Sequence, residues 1–215
     1  MAKIESVNTG ERRDFANDTG RTGIYKSPVT GAVRLGALGL EGDYVADQKH
    51  HGGLDQAVYV YFLEDYAWWS ARLGRHLAPG TFGENLTISG LASLDLAIGD
   101  RLVAGDVVLE LTAPRIPCGT LARRMEDREF VKAFRHAERP GSYCRVIAEG
   151  EVSAGLPVTH QPYAGTRVGL VGMFRDWFVR KTLDEGRLRD TLAAPIAARA
   201  RRDWEDLLAA FVPHD

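Results

Sequence analysis

What most limits the fold of this chain is a series of short, β-prone segments set close together and cut by glycine. "KIESVN" (3–8), "QAVYVYF" (56–62), "NLTI" (85–88), "RLVA" (101–104), "VVLELTA" (107–113), "SYCRVIA" (142–148) and "LPVTH" (156–160) alternate or run apolar over strand lengths. "QAVYVYF" is almost wholly apolar, which predicts burial on both faces. Turn residues separate the runs at Ser27–Gly31, at "GLEGDYVAD" (39–47) and at "AIGDRL" (97–102). A strand is expected across Ala32–Leu38. So many short strands with few intervening helices predict a closed or rolled β structure.

Helical spacing interrupts this pattern in two places. In "LEDYAWWSARLG", Tyr66, Trp69 and Leu73 share a face and Gly74 suits a C-terminal cap. "GTLARRMED" and "EFVKAFRHA" read as two short helices ended by Pro140–Gly141. Past "QPYAGT" (161–166) the strand pattern stops. Leu170, Phe174, Trp177 and Phe178 mark one helical face, Thr182 and Glu185 fit a capping box, and Pro195 suits the first turn of a third helix. Ile196, Ala200, Trp204, Leu207, Leu208 and Phe211 form the last stripe. The expected organisation is a mainly β domain over 1–165 and a three-helix domain over 166–215. The latter reads as a packing or dimerisation element.

With 215 residues, 45% of them hydrophobic, the chain can bury one sizeable core. A net charge of −2 with no long single-sign run excludes nucleic acid or an anionic membrane as the main partner. No apolar stretch reaches membrane-spanning length, and the amino terminus turns polar too soon for a signal peptide. Two cysteines make no disulfide framework. A reduced, cytoplasmic setting is expected.

Three stretches could carry chemistry. In "PRIPCGTL" (114–121), Cys118 follows a proline-stiffened corner and precedes a helix start. The helix dipole and Arg115 would favour a thiolate there, which is a nucleophile and a soft metal ligand. The competing reading is a small apolar filler at a strand end. Cys144 lies inside an ordinary strand pattern and reads as core. In "KHHGGLDQ" (49–56), Gly52 and Gly53 let backbone N–H groups approach an anion beside Lys49, His50 and His51, or simply make a tight turn. In "GTFGENLTISG" (80–90), Gly83, Glu84 and Asn85 offer a hydrogen-bonding edge for a heterocycle, or a solvated loop. The phosphate-binding loop, the dinucleotide-binding fingerprint and the serine-hydrolase elbow are all missing.

The ordered set "GIYKSPVTGAV", "GLEGDYVADQKHHGGLDQAVYVY", "FGENLT", "GD" and "PRIPCGTL" resembles the MOSC domain family, named for the C-terminal domain of molybdenum cofactor sulfurase. It is most similar to the stand-alone bacterial YiiM-like branch, in which a small helical domain follows a β-barrel core. The resemblance implies a molybdenum cofactor, molybdopterin with its metal, held by Cys118 as metal ligand. It implies a pocket shaped by His51, Gly52 and Gly53, by Phe82, Gly83 and Asn85, and by Pro114 and Arg115, with Lys26 meeting the pterin phosphate. It implies reduction of N-hydroxylated compounds, such as N-hydroxylated purine bases or amidoximes, with His51 and Glu84 as proton donors. Such a reductase needs two electrons. One remaining cysteine cannot hold an iron–sulfur cluster, so a separate ferredoxin, cytochrome or flavoprotein reductase must supply them. A cofactor or sulfur carrier, and a thiol enzyme pairing Cys118 with His50 or His51, are the alternatives. No lysine context suggests a pyridoxal phosphate Schiff base.

Overall fold

A computed structural model describes residues 1–15, 20–47 and 51–211. The candidates Lys49 and His50 lie outside the described residues. The strands are β1 (Lys3–Gly10), β2 (Arg13–Asp14), β3 (Arg21–Thr22), β4 (Lys26–Pro28), β5 (Val33–Gly36), β6 (Gly39–Leu40), β7 (Val58–Phe62), β8 (Leu86–Ser89), β9 (Arg101–Ala104), β10 (Val107–Pro114), β11 (Ser142–Ala148), β12 (Gly150–Val152) and β13 (Thr159–Gln161). Helix α1 (Leu63–Leu73) follows β7 directly. Helices α2 (Gly119–Arg124) and α3 (Phe130–Ala137) fill the gap between β10 and β11. Helices α4 (Leu170–Val179), α5 (Glu185–Ala193) and α6 (Ala198–Ala209) complete the chain as the three expected C-terminal helices.

Eight strands form one sheet in the order β13-β9-β10-β11-β7-β8-β1-β4. Its pairs are antiparallel except β7–β8, and that parallel pair requires the crossover that α1 supplies. All five residues of β7 are buried, as its unbroken apolar run predicts.

The expected barrel does not close into a continuous ladder. The sheet rolls until its ends meet, and Ile4 N–H donates to the Leu156 carbonyl at 2.9 Å. Gly155 N–H donates to the Ile4 carbonyl at 2.8 Å, and Val158 N–H to that of Ala2 at 2.9 Å. Lys3 and Pro157 make only an isolated bridge. Leu156 N–H turns instead to the Ser153 carbonyl at 3.4 Å, so the Ile4–Leu156 pair lacks its second ladder bond and the seam stays short of a strand pair.

Two apolar clusters fill the interior. An aliphatic one lies against the sheet and continues through Val168, Leu170, Met173, Leu188 and Ile196 to Trp204 of the C-terminal helices. An aromatic one gathers Tyr61, Tyr66, Trp69, Phe82, Phe130 and Phe134 beneath α1 and α3. Trp69 Nε1 donates to Tyr61 Oη at 2.9 Å, so the buried indole N–H is satisfied. Gly74 caps α1 in the left-handed conformation.

Two helix starts differ from expectation. Asp184, not Thr182, caps α5, its carboxylate accepting Arg187 N–H at 2.8 Å. Thr182 Oγ1 instead donates to the Val179 carbonyl at 2.8 Å, closing the turn before it. Helix α6 begins at Ala198, beyond Pro195, because Arg145 Nη2 draws the Pro195 and Ile196 carbonyls to the sheet at 3.2 and 3.3 Å.

Candidate functional site

Strand β10 ends at Pro114, and the extended segment 115–117 delivers Cys118 to the start of α2. The thiol is half-buried, and Cys118 is itself extended (φ −130°, ψ 172°). Burial alone would raise its pKa. A hydrogen bond from His51, the charge of Arg115 and the Leu121 N–H outweigh that and bring it down to about 6. Cys118 is therefore largely a thiolate at neutral pH. Cys144 is fully buried in β11 and its pKa is driven far up by desolvation, consistent with a core role.

His51 is held by Tyr143, whose hydroxyl oxygen lies 3.1 Å from Nδ1. Burial raises the Tyr143 pKa, so the neutral hydroxyl can donate to Nδ1 and leave the other ring nitrogen protonated. Arg115 is buried, donates through Nη1 to the Phe82 carbonyl and lies 4.9 Å over the Tyr59 ring. Its Nε is buried with no hydrogen-bond acceptor among the described residues.

These groups divide a cavity into two lobes. Both are lined by Asp47, His51, Gln56, Cys118 and Tyr143. The inner lobe, about 290 Å³, adds Lys26, Gly83, Asn85 and Arg115, with Arg21 and Thr120. The outer lobe, about 300 Å³, adds Pro114, Ile116 and Pro117 from the corner. Met173, Trp177, Arg199, Ala200 and Asp203 of α4 and α6 line it too.

Several expected residues stand elsewhere. Glu84 does not reach either lobe. It is fully buried, and its Oε1 accepts from Tyr66 Oη, Gly80 N–H and Thr87 Oγ1, each at 2.7 Å. It pins the 80–87 loop, so the proton-donor assignment is corrected to a structural one. Phe82 packs in the aromatic cluster, and its carbonyl accepts from Arg115. Gly52 and Gly53 lie in the turn behind His51. Gly53 (φ 84°) starts the short helical turn 54–56, and neither glycine lines a lobe.

Lys26 does line the inner lobe, but its ammonium is already paired with the Asp43 carboxylate. Burial lowers its pKa, and Asp43 works against that. Asp43 is held in turn by Gly10 N–H and Asn85 Nδ2, each donating at 2.8 Å. The expected free cation for phosphate is thus a neutralised pair. Among the described residues, the inner-lobe cation without a carboxylate partner is Arg115. Gly83 (φ 76°) is needed for shape, because a Cβ there would stand 2.7 Å from Ile24 Cγ1.

Sequence reasoning missed Asp43, Gln56 and Tyr143. Asp43 sits in a Gly-Asp turn read as structural. Tyr143 precedes Cys144 in β11, and strand alternation directs it to the opposite face, a signal that was present. Trp177, Arg199 and Asp203 had no local signal, because only docking of α4 and α6 brings them to Cys118.

Among the described residues no group of three or more His, Cys, Asp or Glu side chains could hold a metal ion. A metal at Cys118 would need most of its ligands from an organic cofactor. The single thiolate, the unaccepted Arg115 Nε and the glycine-lined inner lobe fit that requirement.

Residues 47–159 match the MOSC domain. The Bacillus subtilis protein YflK is 40% identical over 154 residues, which is 71% of this chain and 70% of YflK. A protein from Gibberella moniliformis named "Reductase" is 32% identical over 146 residues, 65% of this chain but 26% of that longer protein. The crystal structure of YiiM from Geobacillus stearothermophilus superposes with a TM-score of 0.81 at 26% identity, covering 97% of this chain and all of that one.

Proposed function

This chain belongs to the MOSC domain family, and from that premise we propose that it is a molybdenum-cofactor-dependent reductase of N-hydroxylated compounds. The observation that carries the reading is a thiolate-prone Cys118 placed between two lobes, one suited to a cofactor and one to a substrate. Cys118 would ligate the metal. Arg115 and the backbone around Gly83 would hold the pterin, with the Lys26–Asp43–Asn85 network fixing the lobe's shape. When bound, the cofactor supplies a redox metal that accepts the oxygen of an N–OH group.

The chain's own residues do the rest. Ile116, Pro117 and Met173 give the outer lobe an apolar lining that limits water. His51, oriented by Tyr143, is the proton source at the junction of the lobes. The overall change is R–NHOH + 2e⁻ + 2H⁺ → R–NH₂ + H₂O. Cys144 is buried and keeps its proton, so it is no second redox group. The electrons would come from a separate redox protein in the cytoplasm. No helix among the described residues is long and apolar enough to cross a membrane. A simple cofactor carrier would need the inner lobe alone, so the outer lobe favours catalysis.

The test is molybdenum content and reduction of benzamidoxime with an artificial electron donor, in protein from a host able to make the cofactor. Near-stoichiometric metal and turnover in wild type, both lost in Cys118→Ala, are expected. Equal metal in both proteins would remove Cys118 as the ligand. Metal retained without turnover would support the carrier.

A further inference from the structure

The C-terminal helices give the outer lobe two groups that the reduction itself does not require. Trp177 of α4 is fixed from one side. The Arg180 guanidinium lies 4.2 Å from its ring centroid, and Arg180 Nη1 donates to the Trp177 carbonyl at 2.7 Å. The half-buried indole also lines the lobe, as a rigid flat wall. Asp203 of α6 lines the same lobe, half-buried, and nothing among the described residues hydrogen-bonds or ion-pairs with its carboxylate. A carboxylate in a mostly apolar recess is poorly solvated unless N–H donors reach it. At about 300 Å³ the lobe admits one small ring system.

We infer that α4 and α6 select the substrate, with Trp177 stacking a flat ring and Asp203 accepting N–H donors from its amidine or amino edge. This rests on reading the lobe as the reductase's substrate site. Asp203 and Asp47 then disfavour flat acids of the same size, because a bound carboxylate would meet theirs, while Arg199, which also lines the lobe, is exposed and already has a partner. Both are positioning residues for specificity, and Cys118 chemistry does not pass through them.

Binding to the metal-free protein tests this without turnover. Benzamidine and benzoate are the probes, followed by calorimetry and tryptophan fluorescence. Benzamidine is expected to bind and to quench fluorescence, whereas benzoate is not. Asp203→Asn should weaken benzamidine about tenfold, the loss of one charge-assisted pair. Trp177→Phe should abolish the quench while unfolding at the wild-type temperature. In cofactor-loaded enzyme Asp203→Asn should raise KM for benzamidoxime and leave kcat nearly unchanged. Equal binding of benzoate, or benzamidine affinity unchanged in Asp203→Asn, would overturn the inference. Asp203-dependent binding without any reduction would sink the reductase reading and leave this one standing. Turnover with an unaltered KM in Asp203→Asn would do the reverse.

Discussion

Cys118 owes its acidity to neighbours rather than to position alone, since α2 has only six residues. Desolvation opposes ionisation, and His51, Arg115 and the Leu121 N–H prevail. In metal-free protein, alkylation by iodoacetamide should follow the thiolate and be half-maximal near pH 6. His51→Ala should move that midpoint upward. The sign for stability follows from a pKa depressed from 9.0 to about 6 on folding. The contribution is full above the unfolded thiol's pKa and lost as pH falls through 6. Wild type should therefore gain thermal stability over Cys118→Ser between pH 6 and 9, by differential scanning. The Lys26–Asp43 pair makes a second residue-scale prediction. Both side chains are buried, so Asp43→Asn strands an ammonium and should cost about 3 kcal/mol or more in urea unfolding. The double change Lys26→Met with Asp43→Leu should recover much of that loss.

At the scale of elements, the loop between α1 and β8 is set by one glycine and one carboxylate. Gly83→Ala would force a left-handed alanine against Ile24 and should cost about 1–3 kcal/mol, with lower cofactor retention measured as molybdenum per chain. Such elements were legible to different degrees. Strand β9 falls where alternation placed it, because it has one face in the core and one outside it; β11 falls where its apolar run placed it, with its first three residues buried on both faces. The Cys118 corner was legible from its prolines. Glu84 was not, because a sequence shows that a carboxylate is present but not whether three donors surround it. The partner of Lys26 was hidden for the same reason. That counter-charge comes from a turn 17 positions away. The outer lobe was invisible, since the apolar stripes of α4 and α6, which include Trp177 and Ala200, do not show what they dock against.

On the scale of the whole molecule, the aliphatic core passes from the sheet into the C-terminal helices without a break. Trp204→Ala should cost about 3–5 kcal/mol, because its side chain is fully buried. Calorimetry should show one transition in which the sheet and helices melt together. The seam that joins the two ends of the sheet has a different consequence. Strand β1 pairs with nearby β4 through Asn8–Gly10, but its Ile4–Val7 stretch pairs with β8 and residues 155–158, both made after it. During synthesis it must wait for both, with Ile4 and Val7 uncovered meanwhile. Nascent chains that stop short of residue 155 should stay open to proteases and to chaperones, and a strand made before its partners is then among the last to be locked in place.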